Sequence, residues 1–319
     1  MAKSPKSKSE PHERSDPLGD AFQLISKRRW DILMERWRSY MPAQLADMPN
    51  AYQPLSNEQI VISRVQTVRA EDAFETVEDA PVIRTLIFET ARFCAERSLY
   101  FTRIAENLVV SGQPTGALTA SYLAMMFGAR SVQCLLGIHY CYVKNQSWLI
   151  DCWPEASETT SQGRLRDWTA ATRTLISNRR MGHEHHWKLF IRLRAITTRL
   201  PIEDNALAVF RRLKDHSSYS ADRNDIQYND RWPYPDLDQD YAQADIGILP
   251  ADWDVRLGDF DHALKMAQIL AFSSASMILS IVKPLPKFQE YSLELRQRLA
   301  PEWHPLMNLG ALANALAQL

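Results

Sequence analysis

Glycine is scarce, ten residues in 319, and the shortage removes several activities together. There is no G-x-x-x-x-G-K-[ST] phosphate loop and no G-x-G-x-x-G turn, so the chain has no glycine-cradled nucleotide site of either common kind. There is also no H-E-x-x-H helix and no G-x-S-x-G elbow, which sets aside the zincin and nucleophile-elbow hydrolases. Cysteine is limited to Cys94, Cys134, Cys141 and Cys152, with no C-x-x-C pair, as expected of a reduced, cytoplasmic protein. The first residues carry Lys3, Lys6, Lys8, Glu10 and Glu13 in place of the apolar run of a secretion signal. A long hydrophobic run is missing too. The best stretch, Met266 to Val282, includes Gln268, Ser273, Ser274, Ser276 and Ser280 and only reaches the lower edge of bilayer-spanning length. It reads as a buried core helix, and no membrane partner is expected.

What is present is enough for a large core: 45% hydrophobic residues, nine tryptophans, and 37 basic against 38 acidic residues. Residues 1–17 mix Lys, Ser, Pro and Glu and read as a flexible tail. An N-terminal helix and connecting loop fill 18–79. From Asp20 to Tyr40, Phe22, Ile25, Trp30, Leu33 and Trp37 recur at helical spacing among Lys27, Arg28, Arg29, Arg36 and Arg38. This pattern predicts an amphipathic helix with a basic outer face, ending before Pro42, with Met41 to Asn57 as loop.

A helical bundle domain is expected over 80–283. Ile83, Leu86, Phe93, Tyr100, Ile104 and Leu108 predict a long helix, with Pro81 in its first turn. After Ser111-Gly112-Gln113-Pro114, a second run through Leu118, Tyr122, Met125, Ala129, Val132 and Leu136 completes a helical hairpin, with Gly137 as its stop. Ala120, Ala124, Gly128 and Ala129 are small enough to admit a neighbouring helix. Residues 139–162 show no period and read as an irregular connection. Helices are expected from Gly163 to Ser177, Glu184 to Arg199 and Glu203 to Lys214. Asp215 to Asp259 reads as a long loop, and Leu264 to Val282 as a helix stopped by Pro284 and Pro286. A C-terminal helical extension, 284–319, carries Leu306, Leu309, Leu312 and Leu316. The fold class expected is all-α, a multi-helix bundle with long irregular loops.

Charge is distributed unevenly. Between Arg164 and Lys214 there are 12 basic residues, mostly arginine, against four acidic ones; between Asp215 and Asp261 there are 12 aspartates against three arginines. Guanidinium forks match phosphate oxygens, so Arg179, Arg180, Lys188, Arg192, Arg211 and Arg212 are candidate nucleic-acid contacts. The same arithmetic allows the acidic loop to fold over the basic helices and neutralise them. His183, Glu184, His185 and His186 are the metal candidate, with His183 and His186 three residues apart on one helical face; the other reading of this cluster is an exposed helix start beside Trp187.

The sharpest local feature is Ser220-Ala221-Asp222-Arg223-Asn224-Asp225-Ile226-Gln227-Tyr228. Arg223 suits a phosphate and Tyr228 a donated hydrogen bond; alternatively, Arg223 pairs with Asp222, Asp225 or Asp230 in a loop. The order of elements, a long Ala/Tyr/Met-rich hairpin with a glycine stop from Ala117 to Gly137, a further helical pair and then Arg223-Asn224, resembles the HEPN superfamily of helical-bundle ribonucleases. The resemblance implies an HEPN-like core over about 80–283 and a metal-independent RNase or RNA-binding domain, of a kind found in toxins and phage defence. It also implies a site shared by two protomers, with Arg223, Asn224 and Tyr228 as the catalytic candidates and no cofactor. The family motif is Arg-x4-6-His; this chain has Tyr228, Asn229 and Asp230 where histidine is expected. RNA cleavage needs a base and an acid, and a phenol with a pKa near 10 is a weak base; His216 or the His183 to His186 cluster would have to supply the base. Two other functional classes remain open at this point. One is a catalytically inactive helical scaffold that binds proteins through its terminal helices and the Trp232-Pro233-Tyr234 loop; the other is metal-dependent hydrolysis at the histidine cluster.

Overall fold

The structure, a computed structural model, describes residues 27–45, 73–76, 80–143, 146–153, 174–178 and 253–282, together with Arg192, Ile196 and Arg199. Helices dominate these residues, as the periodicity predicts. They are α1 (Lys27–Leu45), α2 (Ala80–Val110), α3 (Pro114–Leu135) and α4 (Trp253–Val282). Four strands accompany them: β1 (Ala73–Thr76), β2 (Ile138–Val143), β3 (Gln146–Asp151) and β4 (Thr174–Asn178).

The α2–α3 hairpin forms where the sequence places it. Ser111 and Gln113 donate backbone N–H groups to the carbonyls of Asn107 and Leu108, at 2.9 and 2.8 Å. Gly112 takes φ 70°, the left-handed conformation that closes a helix without a Cβ penalty, and Pro114 opens α3 at a position whose N–H needs no partner. Gly137, φ 74°, ends α3 in the same way.

α4 then packs along the hairpin. Its approach is close because Gly128 has no side chain: a Cβ there would sit 2.7 Å from Leu270 Cβ and 2.9 Å from Ser98 Oγ. The apolar run Ala263–Ile281 is the one segment among the described residues long and apolar enough to cross a membrane, and 89% of it is buried inside the fold. α1 lies on the same core through Trp30, Leu33, Met34 and Trp37, and Trp37 Nε1 donates to Leu135 O at 2.7 Å. Helix α1 runs through Pro42 to Leu45, whereas the proline predicts an earlier end. Pro42 has no N–H for the Arg38 carbonyl, a loss the last turn of a helix absorbs more easily than its middle.

The sheet is the main departure from an all-α fold. Its order is β1-β4-β3-β2, antiparallel throughout. Residues 138–151, which overlap the expected irregular connection, form a hairpin in which Ile138 faces Asp151 and Val143 faces Gln146. The end of the helix expected over 163–177 is instead β4, pairing with β1 through Ala73 and Ser177 and with β3 through Leu149 and Ser177. Helix α4 begins at Trp253, inside the loop expected to run to Asp259.

Candidate functional site

Arg29, which its charge assigns to the solvent face of α1, is instead 1% exposed. Its guanidinium forms a bidentate pair with both carboxylate oxygens of Asp151 at the end of β3. Arg29 Nε donates to Leu136 O at 2.9 Å and Nη1 to Trp153 O at 3.4 Å. Asp151 Oδ1 also accepts from the Trp153 backbone N–H at 3.0 Å. Arg84 of α2, equally buried, donates Nε to Cys152 O at 3.0 Å and lies 3.7 Å over the Trp153 ring. This knot fastens α1 and α2 to the end of β3. It is closed to solvent, so it holds the fold and does not meet a ligand.

Cys94, Cys134 and Cys152 are free and buried. Cys134 Sγ lies 3.8 Å from His139 Nδ1, which has the composition of a nucleophilic dyad. Burial pushes the Cys134 thiol well up and holds Cys94 at about 11, opposite to what a thiolate nucleophile needs. Among the described residues no group of three or more His, Cys, Asp or Glu is placed to hold a metal.

An accessible site lies between α1 and α4. A half-open groove of about 300 Å³ is lined by Trp30, Asp31, Met34, Arg38, Arg199, Ser276, Met277 and Ser280. Its floor is apolar, from Trp30, Met34 and Met277; its polar rim carries two guanidinium groups. Arg38 Nη2 donates to Ser280 Oγ at 3.4 Å, and Arg199 Nε sits 3.0 Å from Asp31 Oδ1 in an exposed pair. Arg199 belongs to the arginine-rich segment, and Ile196 of that segment is fully buried in the core. The structure thus brings Arg199 against Asp31 of α1, a juxtaposition that sequence spacing does not contain.

A second surface feature runs across α2 and α3. Arg97 stacks over the rings of Phe93 and Phe127, at 4.4 and 5.3 Å, and Phe127 stacks on Phe101. Tyr100, 62% exposed, meets the edge of Phe101. Of the candidates named from sequence, Arg192 is exposed and helical. Arg179, Arg180, Lys188, Arg211 and Arg212, the Arg223, Asn224 and Tyr228 motif, and the His183 to His186 cluster all lie outside the described residues.

Comparison with protein-family models, with curated proteins and with solved structures finds no match to this chain.

Proposed function

We propose that the protein binds RNA on an arginine-lined surface that includes the α1–α4 groove. The observation that carries this reading is the placement of Arg38, and of Arg199 in its exposed pair with Asp31, on the rim of a groove floored by Trp30 and Met34. Guanidinium forks take phosphate oxygens in two hydrogen bonds, and an apolar aromatic floor suits the face of a base. Ser276 and Ser280 supply hydroxyls for a ribose or a phosphate. The sequence around Arg199 is rich in further cations, Arg179, Arg180, Lys188, Arg192, Arg211 and Arg212, and the HEPN resemblance favours RNA as the nucleic acid. Within this reading Arg223 anchors a phosphate, Asn224 orients it, Tyr228 borders a metal-independent cleavage centre, and two protomers share the site.

The test is fluorescence anisotropy of a labelled single-stranded RNA across a salt series. Arg38→Ala with Arg199→Ala weakens binding and flattens the dependence of log affinity on log salt by about 0.7 for each phosphate that is no longer neutralised. Wild-type protein that fails to bind at low salt, or a double variant with unchanged affinity and slope, overturns the reading. Cleavage of total RNA in EDTA, compared with Arg223→Ala and Tyr228→Phe, tests the catalytic part separately.

One observation favours a second reading, a catalytically silent scaffold. Exposed Tyr100 beside Arg97 and half-buried Phe93, Phe101 and Phe127 has the aromatic and arginine composition that dominates protein-binding hot spots. Tyr100→Ala that abolishes self-association while leaving RNA affinity intact supports the scaffold reading for this face.

A further inference from the structure

The seam between α2 and α4 contains a polar pair that one hydrogen bond leaves incomplete. Glu106 and Gln268 are 5% and 0% exposed, and Gln268 Nε2 donates to Glu106 Oε1 at 2.6 Å. The two remaining atoms, Glu106 Oε2 and Gln268 Oε1, are shut off from solvent and have no hydrogen-bond partner. Both are acceptors when the carboxyl is ionised, so the charged form has one donor for a full negative charge and leaves two buried oxygens unsatisfied. A carboxylic acid adds the donor that is missing.

We propose that Glu106 is a proton-operated latch between α2 and α4: as the neutral acid, with its proton on Oε2 turned to Gln268 Oε1, it holds the helices together, and losing that proton loosens the seam.

The surroundings favour the acid. Ala105, Ala120 and Leu264 form a buried apolar cluster on the same turns, with Ile104, Leu108 and Val109 against it. Arg103 is the cation acting on Glu106 from α2. Lys265 is the one charged side chain described on α4, and Arg130, ten residues beyond Ala120, the one described on α3. Burial outweighs both the Gln268 bond and Arg103 and raises the Glu106 carboxyl to about 7. The unfolded carboxyl titrates near 4.5, so the folded state binds the extra proton between those values. Stability therefore falls as pH rises through this window and levels off above it.

The experiment follows thermal unfolding of the full chain from about pH 5 to about pH 8.5, for wild type, Glu106→Gln and Glu106→Met. Glutamine keeps the polar pair without a titrating proton, and methionine fills the volume with neither. Wild type is expected to lose several degrees of Tm between about pH 5 and pH 7 relative to whichever variant folds, and its infrared spectrum near neutral pH to carry a protonated-carboxyl band that the variant lacks. Profiles that differ only by a constant offset, or a band shared by both proteins, overturn the proposal. The latch stands on this one hydrogen bond, the two unpartnered oxygens and their burial, so it survives or fails independently of RNA binding.

Discussion

Removing the Asp151 carboxylate tests the knot at the end of β3. In Asp151→Ala the Arg29 guanidinium, 1% exposed, loses the bidentate carboxylate and keeps the Leu136 and Trp153 carbonyls as acceptors. Breaking a buried pair from one side costs about 3–5 kcal/mol, because the stranded charge retains its full desolvation penalty. The bond from the Trp153 N–H is lost with the same carboxylate, at a further cost of about 0.5–1.5 kcal/mol for an ordinary hydrogen bond. Against a typical stability of about 5–15 kcal/mol, the low end of this range already removes a large share of the folded population. At roughly 2–4 °C per kcal/mol for a domain of this size, melting followed by circular dichroism should fall by about 6 °C or more. The double variant Arg29→Met, Asp151→Leu removes both charges and restores apolar volume, so it should be more stable than Asp151→Ala. A single variant within about 0.5 kcal/mol of wild type, the range of ordinary surface substitutions, would refute the reasoning, and so would a double variant less stable than the single.

Three further outcomes follow from close packing and burial. Gly128→Val places a branched side chain where even a Cβ lies 2.7 Å from Leu270, and should cost at least about 1–3 kcal/mol in urea unfolding as α4 is pushed off the hairpin. Gly137→Ala combines φ 74° with a Cβ 2.9 Å from Trp153 Cδ1 and 3.2 Å from Cys152 Sγ. It should cost more than the ~1 kcal/mol of left-handed strain alone, whereas Gly112→Ala, at the hairpin turn, should stay nearer that value. Cys94, Cys134 and Cys152 should resist alkylation near pH 8 until denaturant is added, since burial pushes all three thiols up; mass spectrometry that finds them modified in the native protein would contradict their placement.

The helices were legible because each has an apolar stripe at a period near 3.6, and the hairpin because Gly112, Pro114 and Gly137 mark it. The β2–β3 hairpin was not, for a physical reason. His139, Tyr140, Leu149 and Ile150 are consecutive in pairs and all buried, so both faces of the strands are covered and the alternation that marks a half-exposed strand is absent. Strands β1 and β4 have four and five residues, too short for any pattern to stand out. Arg29 was misplaced by its charge, yet Arg29, Leu33 and Trp37 follow one another at steps of four. The spacing put the arginine on the buried stripe, and only its residue type suggested water. The groove was hidden because Arg38 and Arg199 are distant in sequence and reach its rim through tertiary packing.

The slot that Gly128 keeps open for Leu270 also has a history in time. Helices α2 and α3 leave the ribosome together, and α4, which fills the space between them, is more than a hundred residues further along the chain. At about 5–20 residues per second, that separation is on the order of ten seconds of synthesis. Throughout that interval the nascent hairpin displays Ser98, Gly128 and the apolar residues around them to whatever surrounds it, while β4 is made before α4 and can already join β1 and β3. All four strands of the sheet are therefore made before α4, the last of the described helices, closes the helical core.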